Sequence, residues 1–452
     1  MPSRNESPPR VAVLADSDTR WKWGALTAHR FAPRGALDGF LLRGRATPTV
    51  RQLAEVGVRA DALREVTGAE FTRAAGRERY DVIVLACVGG AVQAMLHGLA
   101  HAWGPAPAPR PVVVTGYVGV VYEKLADGLL LRHGADVVLA NSQDDAERFR
   151  AVYQGVDAPS DSVIECALPF LEGGERGRNE AGGSKAGESG EVRPFTVVFA
   201  AQPSVPDSRA DRAYLLERAV RHARSHPDRD VLIKLRSKPG EHTTHIEELP
   251  YQKLAQRHPG GLPPNCRLVY GHMGDVLDRT DLLVTVSSTA ALEALHRNVP
   301  TAVLTDLGIR EALGNHHFLG SGCLASWDHL DAGHLPRPDP AWTARQGVAT
   351  DRPHERAFDT ARARVAELAR RAAPPPLAPY YTAATAPGYL PGILARYGFD
   401  PAGRPLREPA APGREESALR RATRSALREA ARGAYRHGVQ RVAPVIRRLG
   451  EL

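Results

Sequence analysis

A strand-like run, DLLVTV, ends at Val286 and opens into Ser287, Ser288 and Thr289, after which an alanine-rich helical pattern begins at once. Three hydroxyls beside the free N–H groups of a helix start form a place to hold a phosphate, although the same residues also suit ordinary helix capping. Glu293, one helical turn further on, is spaced to take a ribose hydroxyl. Upstream, DVLIKLRSKPG delivers Lys234, Arg236 and Lys238 at the end of another strand-like run. Several cations at one strand end can neutralise a phosphate leaving group without a metal. A third turn, Gly271, His272 and Met273 with Tyr270 and Asp275 on either side, is placed to frame a nucleobase.

The first half of the chain carries a second set of strand-end residues. Asp16, Ser17 and Asp18 follow the run RVAVLA, with Trp21 and Trp23 just beyond. Transfer to a hydroxyl needs a group to take its proton, and a carboxylate beside a cleft can do so. Asp16 or Asp18 is the expected base, with Glu123 behind them. Ser17, Trp21, Gly116, Tyr117, Gly119, Asn141 and Ser142 are the expected acceptor contacts. The tryptophans could stack on a sugar ring or fill the core. Metal-ligand patterns are lacking: there is no HExxH and no Cys/His cluster, and Asp16-Ser17-Asp18, though spaced as D-x-D, follows the first strand. Chemistry without a metal or a cofactor is expected, and the missing GxGxxG and P-loop motifs argue against nicotinamide and P-loop enzymes.

Strands alternating with helices must position these residues. Val11 to Ala15, Asp61 to Val66, Asp81 to Ala86, Pro111 to Thr115 and Val137 to Ala140 read as strands, and helical stretches separate several of them. Residues 172–194, rich in Gly, Glu and Ser, read as a flexible linker. The alternation then restarts with strands near residues 196–200, 230–235, 267–270, 282–286 and 301–304. The expected fold is α/β, two Rossmann-like doubly wound domains facing a central cleft, with a basic helical tail. Residues 1–171 form the expected acceptor domain and 195–372 the donor domain, followed by a Pro-rich segment at 373–413 and the tail at 414–452.

Composition narrows the function class. Lys and Arg number 59 against 51 Asp and Glu, a net charge of +8 that suits an anionic ligand. Residues 414–452 hold ten arginines against four glutamates and so carry much of that surplus; a peripheral contact of the tail with an anionic membrane is expected, and a nucleic-acid partner is not. No run approaches the length needed to span a bilayer, which leads to the expectation of a cytoplasmic protein, peripheral to the inner face of the membrane if the tail binds lipid. The four scattered cysteines read as reduced core residues.

The run VYGHMGDVLDRTDLLVTVSSTAALEALHRNVPTAVL resembles the donor-binding half of bacterial GT-B transferases, in particular the sialyltransferase and polysialyltransferase group and the CDP-glycerol glycerophosphotransferases. That resemblance implies a serine-rich turn, here Ser287 to Thr289, holding the phosphate of a CMP-sugar. It implies a glycosyltransferase that passes a sugar to a glycan or lipid-linked acceptor with inversion. Two features depart from the sialyltransferase pattern: Lys238-Pro239 stands where a His-Pro pair is expected, with His242 and His245 nearby, and the acidic-acidic-Gly motif of the first domain is missing. A sugar-nucleotide 2-epimerase or a glycerophosphotransferase on the same fold, or a non-catalytic basic binding protein, are the alternatives.

Overall fold

A computed structural model describes residues 8–44, 46–106, 108–120, 122, 124–171, 193–238, 241, 249–348 and 354–406. The linker, apart from residues 193–194, and the basic tail therefore lie outside the described residues, as do Glu123, His242 and His245.

The first domain contains β1 (Arg10–Ala15), α1 (Asp18–Phe31), β2 (Ala36–Leu42), α2 (Val50–Val56), β3 (Ala62–Val66), α3 (Gly68–Ala74), β4 (Val82–Ala86), α4 (Gly89–Trp103), β5 (Val112–Gly116), α5 (Leu125–Leu130), β6 (Val137–Ala140), α6 (Gln143–Gln154) and β7 (Val163–Glu165). Its strands form one parallel sheet in the order β3-β2-β1-β4-β5-β6-β7. The central strands are buried along their length because helices cover both faces, which is why they read as unbroken apolar runs.

The second domain repeats the plan with β8 (Phe195–Ala200), α7 (Arg209–Ser225), β9 (Arg229–Lys234), α8 (Tyr251–Gln256), β10 (Cys266–Val269), α9 (Met273–Leu277), β11 (Leu282–Thr285), α10 (Ala290–His296), β12 (Thr301–Leu304), β13 (Leu324–Ala325), α11 (Trp327–Asp331) and α12 (Pro340–Arg345). The sheet order is β10-β9-β8-β11-β12-β13, again parallel.

Each sheet reverses its winding once, between β1 and β4 and between β8 and β11. Ligands of doubly wound sheets bind outside the carboxyl ends of the strands at such reversals. In the first domain, Asp16 follows β1 and its Oδ2 accepts the Val88 N–H at 2.9 Å, tying the two strand ends together. In the second, Gln202 Oε1 accepts the Ser287 N–H at 2.9 Å and does the same.

Packing corrects one expected boundary. The helix foreseen as the end of the donor domain is α13 (Asp359–Ala369), and it packs on α1, β5 and β7 of the first domain. Its apolar stripe, Ala361, Val365 and Leu368, joins the core cluster that contains Val11, Val13 and Val114. The Pro-rich segment continues on the same domain: α14 (Leu390–Arg396) lies on α4, and Leu390, Leu394 and Phe399 are buried in the opposite-face core. Burial of apolar surface fixes this part of the segment as structure of the first domain.

Candidate functional site at the facing strand ends

The donor side is built where β9 and β11 end. Lys234, the last residue of β9, is 6% exposed, and its Nζ donates to Leu235 O at 2.8 Å. Burial lowers its amine to about 8, against the pull of the Glu55 and Glu293 carboxylates and with the repulsion of Arg236 and Arg51. Glu55 and Arg51 belong to α2 and Glu293 to α10, so one buried amine feels charges from both domains. Lys238, two residues past Arg236, is exposed, with its Nζ 5.8 Å from the Tyr270 ring centroid. Gly271 adopts φ +104°, a left-handed conformation that side chains rarely take, and so turns the chain from β10 into α9. His272 and Met273 are half-buried at that turn.

The three hydroxyls after β11 have different duties. Ser287 is 3% exposed and its hydroxyl donates to Leu313 O at 2.6 Å. It braces the loop, which corrects the expectation that its hydroxyl reaches a ligand. Ser288 and Thr289 are half-exposed; Ser288 Oγ accepts the Ala290 N–H at 3.2 Å. A Cβ built on Gly119 would lie 3.4 Å from Thr289 Oγ1. The glycine loop after β5 therefore meets the hydroxyl turn across the cleft.

Ion pairs bridge the same gap. Arg236 Nη2 donates to Asp18 Oδ1 at 2.5 Å and also bonds Thr19, while Arg51 joins Glu241 and Glu55. Lys22 Nζ lies 3.5 Å from Glu293 Oε2, and Glu293 is only 6% exposed, which corrects the expectation that it takes a ribose hydroxyl: the carboxylate ties α10 to α1 instead. Burial works to raise the Asp18 carboxyl, but Arg236 and the hydrogen bonds of Thr19 outweigh it and hold the group below its ordinary value.

A family model described as "Putative glycosyltransferase (DUF6716)" matches residues 11–368. The chain belongs to this family. Among solved structures it is similar to an S. aureus MnaA structure titled a UDP co-structure, at 10% identity over 72% of this chain and 87% of that one, with a TM-score of 0.48. It is also similar to Anabaena Alr3699/HepE in complex with UDP and glucose, at 12% identity over 86% and 98% of the two chains and a TM-score of 0.45. A third, UDP-GlcNAc 2-epimerase from Neisseria meningitidis bound to UDP-GlcNAc, is 9% identical over 79% and 98% with a TM-score of 0.45. At these identities and scores the likenesses assign no activity or donor. No curated protein matches.

In this glycosyltransferase-family chain, most of the expected acceptor contacts are scaffold. Trp21 and Trp23 are 1% and 0% exposed, so neither can stack on a sugar. Trp23 Nε1 donates to Asn141 Oδ1 at 3.3 Å, and Asn141 Nδ2 donates to Tyr117 O at 2.7 Å, so both side chains fix the loop after β5. Gly116 is needed where Trp23 crosses beneath it: an added Cβ would meet that ring at 2.8 Å. Ser17 and Ser142 are buried caps of α1 and α6. Tyr117 lies under the Arg132 guanidinium, 4.0 Å from ring centroid to Cζ. Asp16 is occupied by the Val88 N–H and by Arg20 Nη1 at 3.0 Å. Gly119 and Asp18 remain at the cleft.

Arg51, Glu55 and Glu241, which no local pattern marks as a site, bring charge to the cleft from α2 and the loop after β9. Asp145 is likewise unmarked by local pattern. That carboxyl is fully buried, accepts from the Tyr122 hydroxyl at 2.7 Å through Oδ2, leaves Oδ1 without a partner, and is pushed up to about 7 by burial.

One group among the described residues, His222, His226 and Asp331, brings ligand atoms within 4.8 Å of one another. The two rings stack at 4.4 Å with an interplanar angle of 29°, and His222 Nδ1 already bonds Asp331 Oδ1 at 2.7 Å. Arg218 also holds Asp331 at 3.1 Å, which reads as a structural network. All four cysteines are buried and free. No described helix is long and apolar enough to cross a membrane.

Proposed function

We propose that the protein moves a glycosyl group from a nucleotide-activated donor to a hydroxyl of a glycan or lipid-linked acceptor, with inversion and without a metal. The reading rests on one observation above all: Arg236, just past β9, pairs across the cleft with the Asp18 carboxylate at the start of α1, and a half-exposed hydroxyl turn follows β11 in the same domain as Arg236. In this reading Lys234, Arg236 and the Ser288–Thr289 turn hold the donor phosphate, and the Gly271–Met273 turn frames the base. Asp18 accepts the proton of the acceptor hydroxyl. The acceptor oxygen then bonds to the anomeric carbon as the bond to phosphate breaks, and the electron pair departs with the nucleotide. Cations already fixed around that phosphate stabilise the charge it gains, with little reorganisation at the moment of reaction.

The donor is proposed to be a CMP-sugar, on the resemblance of the serine turn to that of sialyltransferase-type enzymes. Thermal-shift measurements on the full chain with CMP, CDP, UDP, GDP and their sugars test this. Stabilisation by CMP supports the donor assignment, and stabilisation by UDP alone replaces it. No response from folded protein overturns the enzymatic reading. Release of nucleotide only in the presence of an acceptor separates transfer from 2-epimerisation.

A further inference from the structure

Arg236 is held by a carboxylate of the opposite domain. Its Nη2 lies 2.5 Å from Asp18 Oδ1, its Nε 3.5 Å from Asp18 Oδ2, and Thr19 adds a hydroxyl. The carboxylate therefore takes the Nε–Nη2 edge of the guanidinium, one of the two edges through which an arginine binds a phosphate by parallel hydrogen bonds, and Thr19 takes a further Nη2 contact. The pair is drawn from opposite domains and is mostly shielded, with the Asp18 side chain 13% and the Arg236 side chain 28% exposed. A phosphate and Asp18 cannot both hold this edge.

We propose that donor binding and activation of the base are a single exchange: the donor phosphate takes Arg236 from Asp18, and the released carboxylate becomes the group that deprotonates the acceptor. This rests on the donor site proposed above. Before the exchange, Arg236 neutralises Asp18 and occupies its oxygens, so neither water nor acceptor is activated. After it, Asp18 sits ionised in a shielded site, where burial favours uptake of a proton. The proton moves from the acceptor hydroxyl to Asp18 as the new glycosidic bond forms. When the nucleotide leaves with its phosphate, Arg236 returns, and Asp18 gives the proton to water as the pair re-forms.

The test is calorimetric titration of the full-length protein with CMP, UDP and GDP. Asp18→Asn removes the competitor for Arg236, so it binds the nucleotide that wild type binds about tenfold more tightly, equivalent to about 1.4 kcal/mol, while losing transfer. Arg236→Met binds at least tenfold more weakly. A role for Asp18 in holding the domains together and nothing more predicts the reverse for Asp18→Asn: unchanged or weaker binding, which overturns the exchange. Asp18→Ser serves as a second variant if Asp18→Asn does not fold, with the same tightening expected and the same contrary result. Failure of wild type to bind any of the three nucleotides removes the donor site itself, whereas binding without tightening removes only the exchange.

Discussion

Raising the pH should weaken donor binding through Lys234. The amine is buried at the end of β9 and lowered to about 8. A lysine lowered in this way carries its charge below pH 8 and loses it as pH rises, although an ordinary lysine would keep it to beyond pH 10. With that value it is about nine-tenths protonated at pH 7 and about one-tenth at pH 9, so if the ammonium form is what binds phosphate, affinity falls about tenfold across the interval. Nucleotide sugars suit the assay, because their esterified phosphates keep a constant charge over this range. Calorimetric titration at pH 7, 8 and 9 gives the profile, and Lys234→Met supplies the comparison: weaker at pH 7 and nearly flat to pH 9. Stability moves the other way, because the folded chain prefers the neutral amine, and rises with pH between about 8 and the ordinary lysine range. A wild-type affinity that stays level from pH 7 to 9, or a Lys234→Met variant that retains the wild-type profile, refutes the assignment of this amine to the phosphate.

Three further outcomes follow from the same geometry. Asp145, raised to about 7 by burial, keeps its proton when the unfolded chain has lost it, so folding stability declines as pH rises from about 4 to about 7 by a few kcal/mol; Asp145→Asn should lose that slope in urea titrations, and an unchanged slope contradicts it. Trp21→Ala should cost about 3–5 kcal/mol of stability, as for other buried aromatic truncations, with the nucleotide affinity of the folded protein retained; loss of affinity without loss of stability would return Trp21 to the site. Replacing both Ser288 with Ala and Thr289 with Val should weaken nucleotide binding by about 2 kcal/mol through lost hydrogen bonds to a charged group, while Ser287→Ala should lower stability first.

Much of the scaffold was legible because its strands are buried on both faces. VAVLA, VIVLA and VVLA can be little else between helical segments, and they became β1, β4 and β6. By contrast, α1 and β2 were not foreseen. Gly39 interrupts the apolar run of β2, and its reason is tertiary: an added Cβ would meet the Trp21 ring at 2.6 Å. α13 was legible as a helix, but its partner domain was not, since an apolar stripe shows that burial is needed and leaves the covering surface open. The site divides along similar lines. The cations and the hydroxyl turn could be read because strand ends concentrate polar residues. The division of labour among Ser287, Ser288 and Thr289 could not, because it depends on which hydroxyl finds Leu313 O. The pairing of Asp18 with Arg236 joins residues 218 positions apart, and local pattern holds no information at that distance.

A crystal structure of the protein soaked with the nucleotide sugar that stabilises it tests the donor site directly. The phosphate is expected within hydrogen-bond distance of Arg236 or Lys234 and of the Ser288–Thr289 turn. A donor seated away from the ends of β9 and β11, with those side chains as they stand in the free protein, would contradict it.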